Sequence, residues 1–294
     1  MHDPLFTPVQ INSLQLANRV YLPAMHLNMA DQGKVTEQIK AFYGRRARGG
    51  AGLMCVGYAT IDEQSGSSLN IGAHKDEFIP GLQELAQTIG EGGAKSCIQL
   101  NHAGRYNFSF FMDGRQAVAP SALTSKLTGE RPRALEIEEI HTIVNRFGQA
   151  AARVRQAGFD ALEVLAGTGY LISEFISYVT NQRQDEYGGS FEKRMRFPRE
   201  VLKAIRDQVG PDFPILVRMN GNDLMQDGMG SQELLEVART LAEQGAVDAL
   251  NVNVGWHEGR VPQIVPSVPR GAFAYLARQI KEATGLPVIA SHRI

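Results

Sequence analysis

Four of the seven histidines, His26, His102, His257 and His292, stand where short apolar runs give way to polar residues, and Gln99, Tyr170 and Arg218 occupy comparable places. Such a set admits three chemistries. A metal hydrolase needs His or carboxylate ligands grouped on neighbouring strand ends, but His26 lies between Met25 and Leu27 without a paired histidine, and no run ends in an aspartate. A Schiff-base aldolase needs a lysine at the carboxyl end of a strand, and Lys95 begins its run instead of ending it. A flat cofactor fits better. Glycines such as Gly57 let backbone approach a ring closely, Gln99 can hydrogen-bond an amide-like edge, and Arg218 supplies a fixed positive charge. Taken singly, each histidine is more often structural than functional. Their concentration is what points to a site.

The elements that must position these residues follow from hydrophobic pattern. Apolar, β-rich runs recur at 20–25, 51–57, 96–101, 161–167, 215–220, 247–255 and 287–294, the pattern of strands buried on both faces. Between most of them lie amphipathic segments with helical spacing, at 36–48, 82–89, 137–156, 191–209, 231–243 and 272–283. Glycines 49, 158, 210, 245 and 285 follow their ends. Strict alternation implies a parallel sheet, and seven repeats exceed what an open doubly wound sheet usually needs. The Gly-x-Gly-x-x-Gly fingerprint of a dinucleotide site is absent from the first unit. The expected fold is therefore an α/β (β/α)8 TIM barrel occupying residues 1–294 as one domain, with its chemistry at the carboxyl ends of the strands. An eighth strand has no counterpart, so the barrel is expected to be truncated after the seventh.

Composition removes several classes of partner. The 294 residues include 30 Lys plus Arg against 31 Asp plus Glu, for a net charge of −1, which leaves no basic footprint for nucleic acid or an anionic membrane. No stretch reaches the roughly 18 apolar residues of a membrane span, and Met1-His2-Asp3-Pro4 lacks the regions of a signal peptide. A cytoplasmic protein is expected. Cys55 and Cys97, each in an apolar run, read as buried thiols.

Longer motifs carry a resemblance. Gln99-Leu100-Asn101-His102-Ala103-Gly104-Arg105, Gly169-Tyr170-Leu171 with Phe175, Asn181-x-Arg183-x-Asp185-x-Tyr187-Gly188-Gly189-Ser190 and Gly255-Trp256-His257-Glu258 resemble the Old Yellow Enzyme family of FMN-containing barrels. The last run, continuing through Val268-Pro269-Arg270-Gly271-Ala272-Phe273, resembles its bacterial 2,4-dienoyl-CoA reductase branch. The resemblance implies an NADH- or NADPH-dependent oxidoreductase in which reduced FMN delivers hydride from N5 to an activated carbon–carbon double bond of an enoyl- or dienoyl-CoA-like substrate. It places the backbone of Pro23, Ala24, Met25 and His26, with Gly57, beside the isoalloxazine. Gln99 falls on the pyrimidine edge and Arg218 near N1 and O2. Tyr170 matches the family's proton donor, and His257 a second acid or carbonyl-polarising group. His292 and Arg293 match half of the phosphate site. The Asn181 to Ser190 run reads as a structural loop tied by Arg183 and Asp185.

Two departures qualify the resemblance. Many members carry a His, with a second His or Asn, five and two positions before the tyrosine; Leu165 and Thr168 stand there. The usual oxyanion clamp is missing, which favours the dienoyl-CoA reductase branch. That branch continues into [4Fe-4S] and FAD modules, expected only if the full-length protein carries a further C-terminal part. An amine dehydrogenase or demethylase of the same family, and a non-catalytic partial barrel, stay open as alternatives. The partners expected are a small-molecule substrate and, as an open alternative, a second copy of the chain.

Overall fold

A computed structural model describes residues 3–294; Met1 and His2, part of the segment read above for a signal peptide, lie outside them. Seven parallel strands pair in chain order: β1 (Tyr21–Leu22), β2 (Leu53–Thr60), β3 (Lys95–Asn101), β4 (Ala161–Ala166), β5 (Ile215–Asn220), β6 (Ala249–Asn253) and β7 (Val288–Ala290). The sheet curls into a nearly closed α/β barrel, as expected. The helices are α1 (Glu37–Ala47), α2 (Ile79–Glu91), α3 (Ile137–Gln156), α4 (Leu171–Ile176), α5 (Phe191–Arg194), α6 (Arg196–Val209), α7 (Ser231–Glu243) and α8 (Ala274–Thr284). None among the described residues is long and apolar enough to cross a membrane.

Strand periodicity divides the apolar residues between two cores, because successive side chains point to opposite faces. Met54, Val56, Ile98, Leu100, Leu162 and Val164 face outward to the helices. The alternate positions, Leu53, Cys55, Cys97, Ala161, Leu216 and Ala249, fill the lower barrel. A hairpin of Val9–Ile11 and Leu14–Leu16 closes it from below with buried Ile11, Leu14 and Leu16. Both cysteines are fully buried free thiols, as expected. Above this floor the inward register turns polar, through Gln99, Glu163, Arg218 and Asn251, then Asn101, Asn220 and Asn253. A barrel that needed only to pack would place branched apolar residues there.

Several boundaries differ from the expectation, each for a local reason. Run 20–25 pairs only through Tyr21–Leu22, since Pro23 has no N–H to give the ladder, although His26 forms an isolated bridge with Gly57. Segment 191–209 is two helices, because Pro198 cannot donate to the Arg194 carbonyl. The 9–16 hairpin was not anticipated. Its tip is tied to the barrel floor, where Asn12 Nδ2 donates to Pro211 O at 2.8 Å and to Asp248 Oδ1 at 3.0 Å.

Candidate active site

After β4 the chain turns through Gly167, Thr168 (φ 60°) and Gly169 (φ 97°) into Tyr170, which precedes the first turn of α4. Thr168 N donates to Asn220 Oδ1 at 3.1 Å and Gly169 N to Ser173 Oγ at 3.0 Å. A Cβ on Gly169 would fall 2.3 Å from the Tyr106 hydroxyl oxygen, so this tight turn admits glycine alone. It brings the Tyr170 hydroxyl to 3.2 Å from His257 Nε2.

His257 is held from the other side. Its neighbour Glu258 accepts from Arg105 Nη2 at 2.8 Å and from the Lys126 backbone N–H at 2.8 Å. The Arg105 and Glu258 side chains are 6% and 4% exposed, so this ion pair is shielded from solvent and tethers the loop after β6 to the loop after β3. Burial pushes the Tyr170 phenol up to about 12, with nearby Arg218 pulling the other way. Desolvation, then Arg218, holds His257 below the ordinary imidazole range. At neutral pH the phenol keeps its proton and the imidazole is uncharged.

The pair opens into a cavity of about 330 Å³ walled by His26, Tyr58, Asn70, Tyr106, Phe108 and Phe111. Ring centroids of Tyr58 and Tyr106 stand 6.0 and 5.9 Å from that of Tyr170. Aromatic walls with a few polar tips suit a flat, mostly apolar ligand. In the barrel mouth, Gln99 Nε2 donates to Glu163 Oε1 at 2.7 Å. The buried Arg218 Nε finds no acceptor among the described residues.

The other residues singled out from sequence have differing surroundings: most follow strand ends, while Gly57 lies within β2 and residues 181–190 form a loop beyond α4. Pro23, Ala24 and Met25 are half-buried beyond β1, and His26 Nε2 lies 2.6 Å from Asn70 Nδ2. Gly57 is needed for packing, since a Cβ there would lie 2.3 Å from the Ala24 Cβ; its N–H donates to the Tyr43 hydroxyl at 3.2 Å. His292 and Arg293 follow β7, and Arg293 Nε donates to Val268 O at 2.9 Å. His102 separates from the other rim histidines: it is 1% exposed and its Nδ1 accepts from Gly104 N at 3.0 Å, a structural role. In the 181–190 loop Asn181 Nδ2 donates to Phe175 O and Tyr187 O, and Arg183 pairs with Asp185. Where the family's clamp would stand, Leu165 is buried and the Thr168 hydroxyl donates to Gly167 O at 2.8 Å. Sequence reasoning missed Asn70, Tyr106 and the Arg105–Glu258 pair, which only tertiary structure assembles. It also missed Glu163, whose signal was present as a carboxylate inside an apolar strand.

A parallel α/β barrel with a polar mouth, an Arg218 Nε that has no acceptor among the described residues and a tyrosine–histidine pair suits a flat cofactor. The chain belongs to the NADH:flavin oxidoreductase / NADH oxidase family, whose model matches residues 4–294. Among its relatives, a metal reductase of Desulforamulus reducens is 48% identical over 99% of this chain and 43% of its own length. An NADH oxidase of Thermoanaerobacter brockii is 38% identical over 98% of this chain and 45% of its own. The solved complex of 2-naphthoyl-CoA reductase with 2-naphthoyl-CoA superposes with a TM-score of 0.95 at 31% identity, over 100% of this chain and 47% of that one. The chain thus spans less than half the length of these proteins.

Proposed function

We propose that residues 1–294 form the FMN-binding barrel domain of an NADH- or NADPH-dependent oxidoreductase that reduces an activated carbon–carbon double bond, with an enoyl- or dienoyl-CoA-like thioester as substrate. The observation that carries this reading is the Tyr170–His257 contact of 3.2 Å at a polar barrel mouth. The residues present fit FMN: the buried Arg218 Nε lacks an acceptor, and Gln99 has its amide nitrogen engaged by Glu163, leaving its oxygen for a ligand. When bound, FMN supplies hydride to the double bond.

The chain's own residues divide the remaining work. Arg218 offsets negative charge at the flavin's N1 and O2 edge, and Gln99 binds the pyrimidine edge. The backbone of Pro23, Ala24, Met25 and His26, with Gly57, flanks the ring; His292 and Arg293 hold the phosphate. Tyr170 keeps its proton at neutral pH, as a general acid must, and delivers it to the carbon beside the thioester carbonyl. With Leu165 and Thr168 in the clamp positions, carbonyl polarisation falls to His257. Support for a thioester substrate, and for the dienoyl-CoA reductase branch, comes from the Gly255 to Phe273 motif and from the likeness to a reductase bound to an aryl-CoA. The test is direct. Denaturing the holoprotein should release FMN, and the reduced enzyme should be reoxidised by an enoyl- or dienoyl-CoA faster than the oxidised enzyme is reduced by secondary or tertiary amines. Flavin-free protein after refolding with FMN would refute the cofactor, and the opposite preference would refute the substrate class.

A further inference from the structure

Glu163 is wholly buried in β4, yet it is not isolated. Its Oε2 accepts from the Tyr21 hydroxyl at 2.9 Å and from Asn251 Nδ2 at 2.7 Å, and its Oε1 from Gln99 Nε2 at 2.7 Å. The Cys55 thiol lies 3.7 Å from the same Oε1. Donors from β1, β2, β3 and β6 therefore converge on one side chain. With the Tyr21 hydroxyl and the Gln99 and Asn251 amide nitrogens all at hydrogen-bond distance, both Glu163 oxygens serve as acceptors. A buried polar side chain is tolerable when hydrogen-bonded in this way.

This has a consequence for Gln99, the register partner of Glu163 on the adjacent strand. An amide beside an acceptor has one allowed orientation: Nε2 faces Glu163 and Oε1 faces away. We propose that Glu163 is a positioning residue that turns the Gln99 amide so that its Oε1 serves as the hydrogen-bond acceptor at the barrel mouth, which thereby favours a ring with an imide-type N–H. The inference rests on the FMN reading, in which that group is N3–H of the pyrimidine edge. Glutamine at 163 could accept or donate, and would free Gln99 to flip.

The intact protein, stripped of flavin, is titrated with FMN and with N3-methyl-FMN, which lacks the N–H. The native protein should prefer FMN by about tenfold or more, the cost of leaving a buried acceptor unpaired. Glu163→Gln should reduce that preference to about threefold or less, and adding it to Gln99→Leu should change the ratio no further. Failure of the native protein to bind FMN refutes the cofactor reading. FMN binding with an unchanged ratio in Glu163→Gln overturns the role of Glu163 alone. Should Glu163→Gln not fold, side-chain amide exchange in the native protein decides: the Gln99 amide protons, identified by their loss in Gln99→Leu, should exchange slowly without flavin, and fast exchange overturns the proposal.

Discussion

The Tyr170 phenol and the His257 imidazole are each held in the neutral form by their surroundings, and this sets how the pair responds to mutation and to pH. Tyr170→Phe removes the proton but keeps the ring against Tyr58 and Tyr106. Reoxidation of the reduced flavin by substrate should slow by about 10² to 10⁴-fold, the usual range for general acid catalysis, while FMN content and dithionite reduction survive. Stopped-flow measurement of the oxidative half-reaction checks this, and unchanged rates would remove Tyr170 from the mechanism. The pH profile follows from the directions of the shifts. His257 is lowered from its ordinary 6.5, so its uncharged form persists to lower pH than an exposed histidine's, and Tyr170, raised to about 12, stays protonated throughout the working range. The rate of that half-reaction should be flat from about pH 6.5 to 9, with an acid limb below the ordinary histidine value. A limb centred above pH 7 would contradict the assigned states.

At the scale of elements, α4 does more than present Tyr170. All six of its residues are buried, including Glu174, whose Oε1 accepts from Arg105 N at 2.9 Å while Oε2 has no partner among the described residues. Burial raises this carboxyl from 4.5 to about 8, with Arg105 opposing. Because the folded value is raised, the stability linked to Glu174 is fully present below about 4.5 and is lost as pH climbs toward 8. Glu174→Gln stays neutral, keeps the bond from Arg105, and should stabilise the protein by on the order of a few kcal/mol at pH 8 but very little near pH 4.5. Urea unfolding at both values checks it; an equal effect at both would show that Glu174 is ionised alike in folded and unfolded chains. Arg105→Met, by contrast, leaves Glu258 buried without its cation, an expected loss of about 3 to 5 kcal/mol together with displacement of His257. What the sequence revealed of these elements follows the physics. Helices with a strong 3.6-residue period, such as α3 and α7, have the boundaries read from the pattern, because pattern and packing agree. The strands were legible in number and order for the same reason, whereas their ends shifted, as at Tyr21–Leu22 against 20–25 and Ala249–Asn253 against 247–255. Glu163 was visible as a carboxylate in an apolar strand, but its role was not legible, because only long-range folding brings the Tyr21, Gln99 and Asn251 donors to it. Nor was the Arg105–Glu258 tether, whose partners are separated by 153 positions.

For the whole molecule, the seam between β1 and β7 governs behaviour. These two strands do not pair with each other, and they are half-exposed where β2 to β6 are almost wholly buried. Between them lies a cavity of about 590 Å³ walled by Val9, Ile11, Leu16, Tyr21, Val288 and Ile289. An apolar slot flanked by two unpaired strand edges has both the surface and the backbone groups to capture another strand. Barrels of this kind also place phosphate loops after the last two strands. His292 and Arg293 follow β7, where the first of those loops would begin. Because of the apolar slot, residues 1–294 should bind a hydrophobic dye and self-associate in light scattering. If residues 1–294 prove monodisperse, the seam is not the weak point, and β1 and β7 must close on each other in solution.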